Sequence, residues 1–308
     1  SAPLIDSGGS GFDNAPDGAW TGSGTDDSTN PFSAEGETFI STHPSGALTF
    51  RFVSDGTVTE AGWEANVTCG PAPTASVQVI HNSADPAAAS VDVYLDGALL
   101  PELTGVDFRQ ASAFLDAPAN VDITVDIVPA GDNLSNSVHT QTFNLAEDES
   151  YIIVADGVLD PSQFDDSVNT IDFGLEAYAG AQQTSTNAGE VSVLVHHGAT
   201  DAPTVDVVND NDQSILVDDM SYTEFNGYLD LPTQDYVINV EAFDNSSVVQ
   251  SYEANLQTLG LADTAITVVA SGFLDPAANQ NGEAFGLWVA LPAGGSLVEL
   301  PLATVGTD

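Results

Sequence analysis

One stretch of this chain is written twice, and any fold has to accommodate both copies. His81 to Gly97 reads HNSADPAAASVDVYLDG, and His197 to Val208 reads HGATDAPTVDVV. Each copy follows an apolar run, passes through a loop containing Asp and Pro, and re-enters a strand on Val-Asp-Val. Further landmarks keep the register: FLDAP at Phe114 with YLDLP at Tyr228, GVLDP at Gly157 with GFLDP at Gly272, and FGL at Phe173 with FGL at Phe285. The offsets, 116 for the two histidines and then 114, 115 and 112 residues, are those of a tandem duplication. A period above about 100 residues is too long for a solenoid repeat, so each copy is a whole domain. The boundaries fall at 71–190 and 191–308, after a separate segment 1–70 and the short stiff linker Pro71-Ala72-Pro73.

Within each copy the pattern is β throughout. Val91, Val93 and Leu95 alternate with Asp92, Tyr94 and Asp96, and Ile123, Val125 and Ile127 alternate with Thr124 and Asp126. The second copy does the same at Tyr236, Ile238 and Val240. A period of two is that of a strand with one buried face. YIIVADG and ITVVASG are continuous apolar runs, the pattern of strands buried on both faces. Seven or so short strands in about 110 residues, broken by Pro and Asp-Gly turns, predict an antiparallel sandwich of immunoglobulin-like build. No amphipathic helix of about 12 residues stands out.

These two copies resemble the domain-of-unknown-function 4397 family, a bacterial extracellular module often found in tandem. The matching pieces are the His-x-x-x-Asp loop with its Pro, the Val-Asp-Val strand, the Leu-Pro turn, the Gly-x-Leu-Asp-Pro loop and the closing GLWVALPAGGSLVELP. The first copy departs slightly, because Pro86 follows Asp85 directly. The resemblance implies the fold and a cell-surface setting, and it brings no catalytic residues.

The first 35 residues are rich in Gly, Ser, Asp, Asn and Pro, which favour turns. Leu48, Phe50 and Phe52 then alternate as a strand, Asp55-Gly56 turns, and Trp63 to Val67 returns. Ser45-Gly46, Leu48 to Phe52, Ser54-Asp55, Gly62-Trp63 and Cys69 resemble the closing half of a CUB domain, a jelly-roll sandwich. The opening half has no counterpart, and half a sandwich would expose strand edges. The missing strands are therefore expected from upstream sequence or from another subunit by strand addition. Some CUB domains bind calcium through an acidic residue in the Ser-Asp turn. The resemblance therefore makes Asp55 a metal-ligand candidate, set against the reading of an ordinary turn aspartate.

Composition sets the partners. Forty-six acidic residues face only Arg51 and Arg109, with no lysine, for a net charge of -44. Such a field repels nucleic acid and anionic membranes. It is tolerable at high salt, where the Debye length falls to about 3 Å at 1 M, or with divalent cations between carboxylates. Ca²⁺ is the one cofactor the composition suggests. Cys69 is alone, so no internal disulfide forms, and no apolar run approaches the ~18 residues of a membrane span. SAPLIDSGGSG has neither the basic nor the apolar region of a signal peptide, so any export signal is expected to lie upstream or to have been removed.

The pairs His81/Asp85 and His197/Asp201 admit two readings. Each is either the corner of a sandwich, with Asp capping loop amides, or a metal site completed by Asp92 or Asp206. The second copy is two residues shorter between His and Val-Asp-Val, which a joining loop tolerates better than a metal site. The loop Asn209 to Asp212, with Asp218-Asp219 nearby, has oxygen ligands suited to Ca²⁺ but lacks EF-hand spacing, and reads as a solvated acidic loop. No G-x-S-x-G, H-E-x-x-H or P-loop occurs, and Cys69 has no activating base nearby. The chain is expected to be all-β, a string of antiparallel sandwiches, and not an enzyme. Its expected role is structural or adhesive at the bacterial cell surface or in an extracellular filament, joined to neighbouring subunits through the N-terminal domain. The alternative is an accessory module binding polysaccharide or calcium within a larger secreted protein.

Overall fold

A computed structural model describes residues 72–243 and 247–303. The chain divides into two units, Ser1–Ala72 and Pro73–Asp308, and the described residues belong almost wholly to the second. The CUB-like segment, with Asp55 and Cys69, lies outside the described residues.

The all-β expectation holds. Each repeat folds into two sheets facing each other, and the only helical elements among the described residues are four three-residue 3-10 turns. In the first repeat one sheet runs Gly174–Ala179, Ser150–Asp156, Thr74–His81, Gln110–Ala111, with Leu115–Pro118 also on Thr74–His81. Its partner runs Ala98–Leu99, Ser90–Leu95, Asp122–Pro129, His139–Asn144. In the second repeat one sheet runs Phe225–Pro232, Glu190–His197, Ala265–Ser271, Gly286–Ala290, Val298–Glu299. Facing it are Ile215–Met220, Val205–Asn209, Asp235–Ala242 and Val248–Asn255.

One strand pair in each repeat departs from the expected antiparallel pattern, as does one isolated bridge, Val158 with Asp172 and Phe273 with Ala284. Thr74–His81 runs parallel to Ser150–Asp156, and Glu190–His197 runs parallel to Ala265–Ser271. These are the strands that open and close the repeated motif, and parallel neighbours are characteristically buried on both faces. Ile153 and Ala155 enter the first repeat's core with Val91, Val93 and Ile127. Ile152 and Val154, one step out of phase, join Ile80, Leu194, Val269 and Leu297 in a separate apolar cluster. That cluster contains residues of both repeats. The continuous apolar runs therefore serve two cores at once, one within each sandwich and one between them.

The expected string of sandwiches is accordingly closed up at its last link: the two repeats pack sheet against sheet. The C-terminal segment ties them further. Gly295–Ser296 pairs with Gln110–Ala111 of the first repeat, while Val298–Glu299 pairs with Gly286–Ala290 of its own. A single passage of chain thus borders both sandwiches.

Candidate functional site

The His-x-x-x-Asp corners are built alike. His81 and His197 end their strands pointing into their own sandwiches, 0% and 1% exposed. His81 Nε2 donates to the Ala88 carbonyl at 2.7 Å, and His197 Nε2 to the Pro203 carbonyl at 3.1 Å. Because a carbonyl can only accept, the proton sits on Nε2 and leaves Nδ1 bare. Burial pushes both imidazoles below their ordinary pKa, so they are neutral core groups. The first corner holds a 3-10 turn at Pro86–Ala88 that the shorter second corner lacks.

Asp85 and Asp201 clamp this corner to the Gly-x-Leu-Asp-Pro loop. Asp85 accepts from the amides of Ala87 and Leu159, both at 2.8 Å. Asp201 accepts from Leu274 and Asp275, also at 2.8 Å, and from Asn279 Nδ2 at 3.0 Å. Both repeated motifs are therefore two halves of one structural joint. Gly157 and Gly272 allow it: at φ +82° and +87° they lie against the backbones of Asp172 and Ala284, where any Cβ would collide.

The neutral histidines set a pH dependence. A His whose folded pKa lies below its unfolded value of about 6.5 binds its proton more readily in the unfolded chain. Its contribution is complete above that value and is lost as pH falls through the window beneath it. Urea unfolding from pH 7.5 to 5.0 should show wild type losing stability relative to the variant His81→Gln/His197→Gln. Parallel pH profiles for the two proteins would refute this.

The acidic loops are also engaged in structure. Asp212 accepts from the Ser214 hydroxyl and amide, which hold its carboxyl below the usual range, and Asp210 accepts from Asn239 Nδ2 at 2.9 Å. Asp165 accepts from the Ser167 amide at 3.0 Å. Asp92 accepts from the amides of Gly105 and Gly131. Its counterpart Asp206 is different: one oxygen accepts from the Asp219 amide at 2.8 Å, and the other has no partner among the described residues. One carboxylate oxygen each of Asp206, Asp218 and Asp219 lie within 4.8 Å of one another.

A second constellation escaped the sequence reading altogether. His196, beside His197, points the opposite way, into the contact between repeats. There its Nε2 lies 2.5 Å from Asp156 Oδ2, with both side chains buried. Asn82 Nδ2 donates to the other oxygen of Asp156 at 2.7 Å, and the His196 ring lies against Phe225, centroids 4.1 Å apart. Asn82 and Asp156 come from the first repeat and His196 from the second. The period of two carried the clue, because neighbouring residues on a strand face opposite sides of the sheet.

Arg109 closes the same seam. Its guanidinium donates to Ser271 Oγ, Ser271 O and Ala284 O at 3.0, 3.1 and 2.7 Å. It also lies 4.1 Å from the Trp288 ring centroid and 4.6 Å from that of Phe108. Nothing in this arrangement presents a nucleophile to solvent. The second sandwich encloses an apolar gap of about 60 Å³ bounded by Leu216, Leu231, Ile266 and Leu287, which is a packing void without polar handles.

Comparison with known families finds a model described as Domain of unknown function (DUF4397) matching residues 75–194 and again 191–282. No curated protein matches the chain at a significant level. Among the described residues, no helix is long and apolar enough to cross a membrane.

Proposed function

The chain belongs to the family described as Domain of unknown function (DUF4397), and from that membership we propose that it is a non-catalytic structural or adhesive protein of the cell surface or of an extracellular filament. One observation carries the reading. The His and Asp that open the repeated motif are spent on holding the fold: His81 and His197 on loop carbonyls, Asp85 and Asp201 on loop amides. A repeated motif used in this way makes a stiff double unit, suited to bearing load or spacing other domains.

The charge supports an exported, salt-exposed setting. With 46 acidic residues and two arginines, self-repulsion is relieved only where salt is high or divalent cations are abundant. Assembly would run through the CUB-like segment at residues 1–70, with neighbouring subunits as the partners. The polysaccharide-binding alternative would need an open line of aromatics. Trp288, the one tryptophan among the described residues, is instead stacked beneath Arg109.

Negative-stain microscopy and sedimentation of the full chain, from low salt to about 2 M with and without Ca²⁺, test the proposal. Ordered, end-to-end assemblies are the expected result. Isolated monomers under every condition would overturn the filament form.

A further inference from the structure

We propose that the second repeat binds a divalent cation, Ca²⁺ by its all-oxygen ligands, through Asp206, Asp218 and Asp219. The inference goes beyond the structural role and stands independently of it.

The first repeat supplies the comparison. Asp92 and Asp206 occupy the same place, on Val-Asp-Val, and each accepts from the amide of the residue 13 positions later. In the first repeat that residue is Gly105, at φ 61°, and the Gly131 amide satisfies the second oxygen of Asp92 at 2.8 Å. The aspartate there is fully used and has no charged neighbour at the corresponding positions, Thr104 and Gly105. In the second repeat the same pair is Asp218-Asp219.

Asp219 keeps the left-handed backbone of its glycine counterpart, at φ 51°, a conformation that aspartate tolerates better than most residues. One feature of this exchange runs against stability unless an ion is held: three carboxylates converge around Asp206, which is 0% exposed and has one oxygen without a partner among the described residues. Like charges packed together repel, and a buried carboxylate oxygen without a partner costs desolvation that nothing here repays.

The geometry fits a hard cation. Ca²⁺ takes oxygens at 2.3–2.6 Å, so two of its ligands can stand no more than about 5 Å apart. The three oxygens here lie within 4.8 Å of one another. The placement arises from a bulge: Val205 pairs with Met220 but Val207 with Val217, so Ile215–Met220 carries one extra residue opposite Asp206. Bulges re-aim side chains, and this one brings Asp218 and Asp219 round to Asp206. Both are exposed, leaving room for the waters that complete a Ca²⁺ shell.

The test is a CaCl₂ titration of the full, chelator-stripped chain at constant high NaCl, which screens diffuse binding to the other carboxylates. Calorimetry would count equivalents, and thermal unfolding would report linkage. Wild type should bind one tight equivalent and gain roughly 5 °C in melting temperature at a hundredfold excess over Kd. D218T/D219G, which writes the first repeat's residues into the second, should lose that equivalent and that gain. Without calcium it should melt no lower than wild type. D218N/D219N should also lose the tight equivalent, and D166N, at an exposed aspartate elsewhere, should retain it. An unchanged equivalent and melting shift in D218T/D219G, or no saturable binding by wild type, would overturn the proposal.

Discussion

Asp156→Ala should destabilise the protein by about 2–3 kcal/mol, the cost of leaving a buried polar group without its hydrogen-bond partner. Asp156 is 1% and His196 0% exposed, so no water can replace the lost carboxylate without opening the seam. The substitution strips His196 Nε2 of its partner at 2.5 Å and removes the shortest of the three acceptors of Asn82 Nδ2, leaving the Gly198 and Ala270 carbonyls at 3.4 and 3.3 Å. The double variant Asp156→Leu/His196→Leu should recover most of the loss, because two apolar groups leave neither half of the pair stranded without a partner. Urea unfolding followed by tryptophan fluorescence measures both. A single-variant loss below about 1 kcal/mol would mean that the pair contributes little to joining the repeats. Because the pair spans the two sandwiches, Asp156→Ala should also separate their unfolding into two transitions in calorimetry.

Arg109→Ala should cost about 2–4 kcal/mol, from charge-assisted bonds to two backbone carbonyls and a partly buried cation–π contact. Burial holds the guanidinium pKa down to about 10, which still leaves it charged at neutral pH. Its interaction with Glu283, at 4.0 Å and with that side chain 70% exposed, is not what holds it. Glu283→Gln should therefore unfold indistinguishably from wild type, and the Arg109→Ala deficit should persist at 2 M salt. Arg109→Lys should rescue little, since an ammonium cannot make the forked set of bonds to Ser271 and Ala284 while stacking on Trp288. A deficit that vanishes at high salt would assign Arg109 to surface charge pairing instead.

Both predictions concern residues that periodicity reached only in part. Alternation at Val91, Val93 and Leu95 was readable because all three side chains enter the first core, while Asp92 between them is buried on the other face against loop amides. YIIVADG was readable as buried on both faces, but not what buried it. A strand covered by its own helix or loop and a strand covered by a second domain have the same pattern. The twin corners were legible as joints because the shortened second copy argued against shared metal geometry, and His81 and His197 do lie in the cores. His196 was hidden by its neighbour. The repeat register singled out His197, and only the sheet-on-sheet packing gave the outward-facing histidine a buried aspartate. The parallel strand pairs were missed for a related reason, since a short apolar strand carries no mark of its partner's direction.

Asp206 shows the division most clearly. By spacing alone it is a possible addition to a corner site, and Asp218-Asp219 lie near a solvated acidic loop. A one-residue bulge brought them together. What the sequence determined alone is what local chemistry dictates: a duplicated all-β chain, its strands, its glycine-dependent joints and a net charge of -44 that repels polyanions. What the tertiary structure decided is which of the many buried faces and carboxylates meet. That depends on long-range register, where a shift of one residue turns a side chain from one side of the sheet to the other.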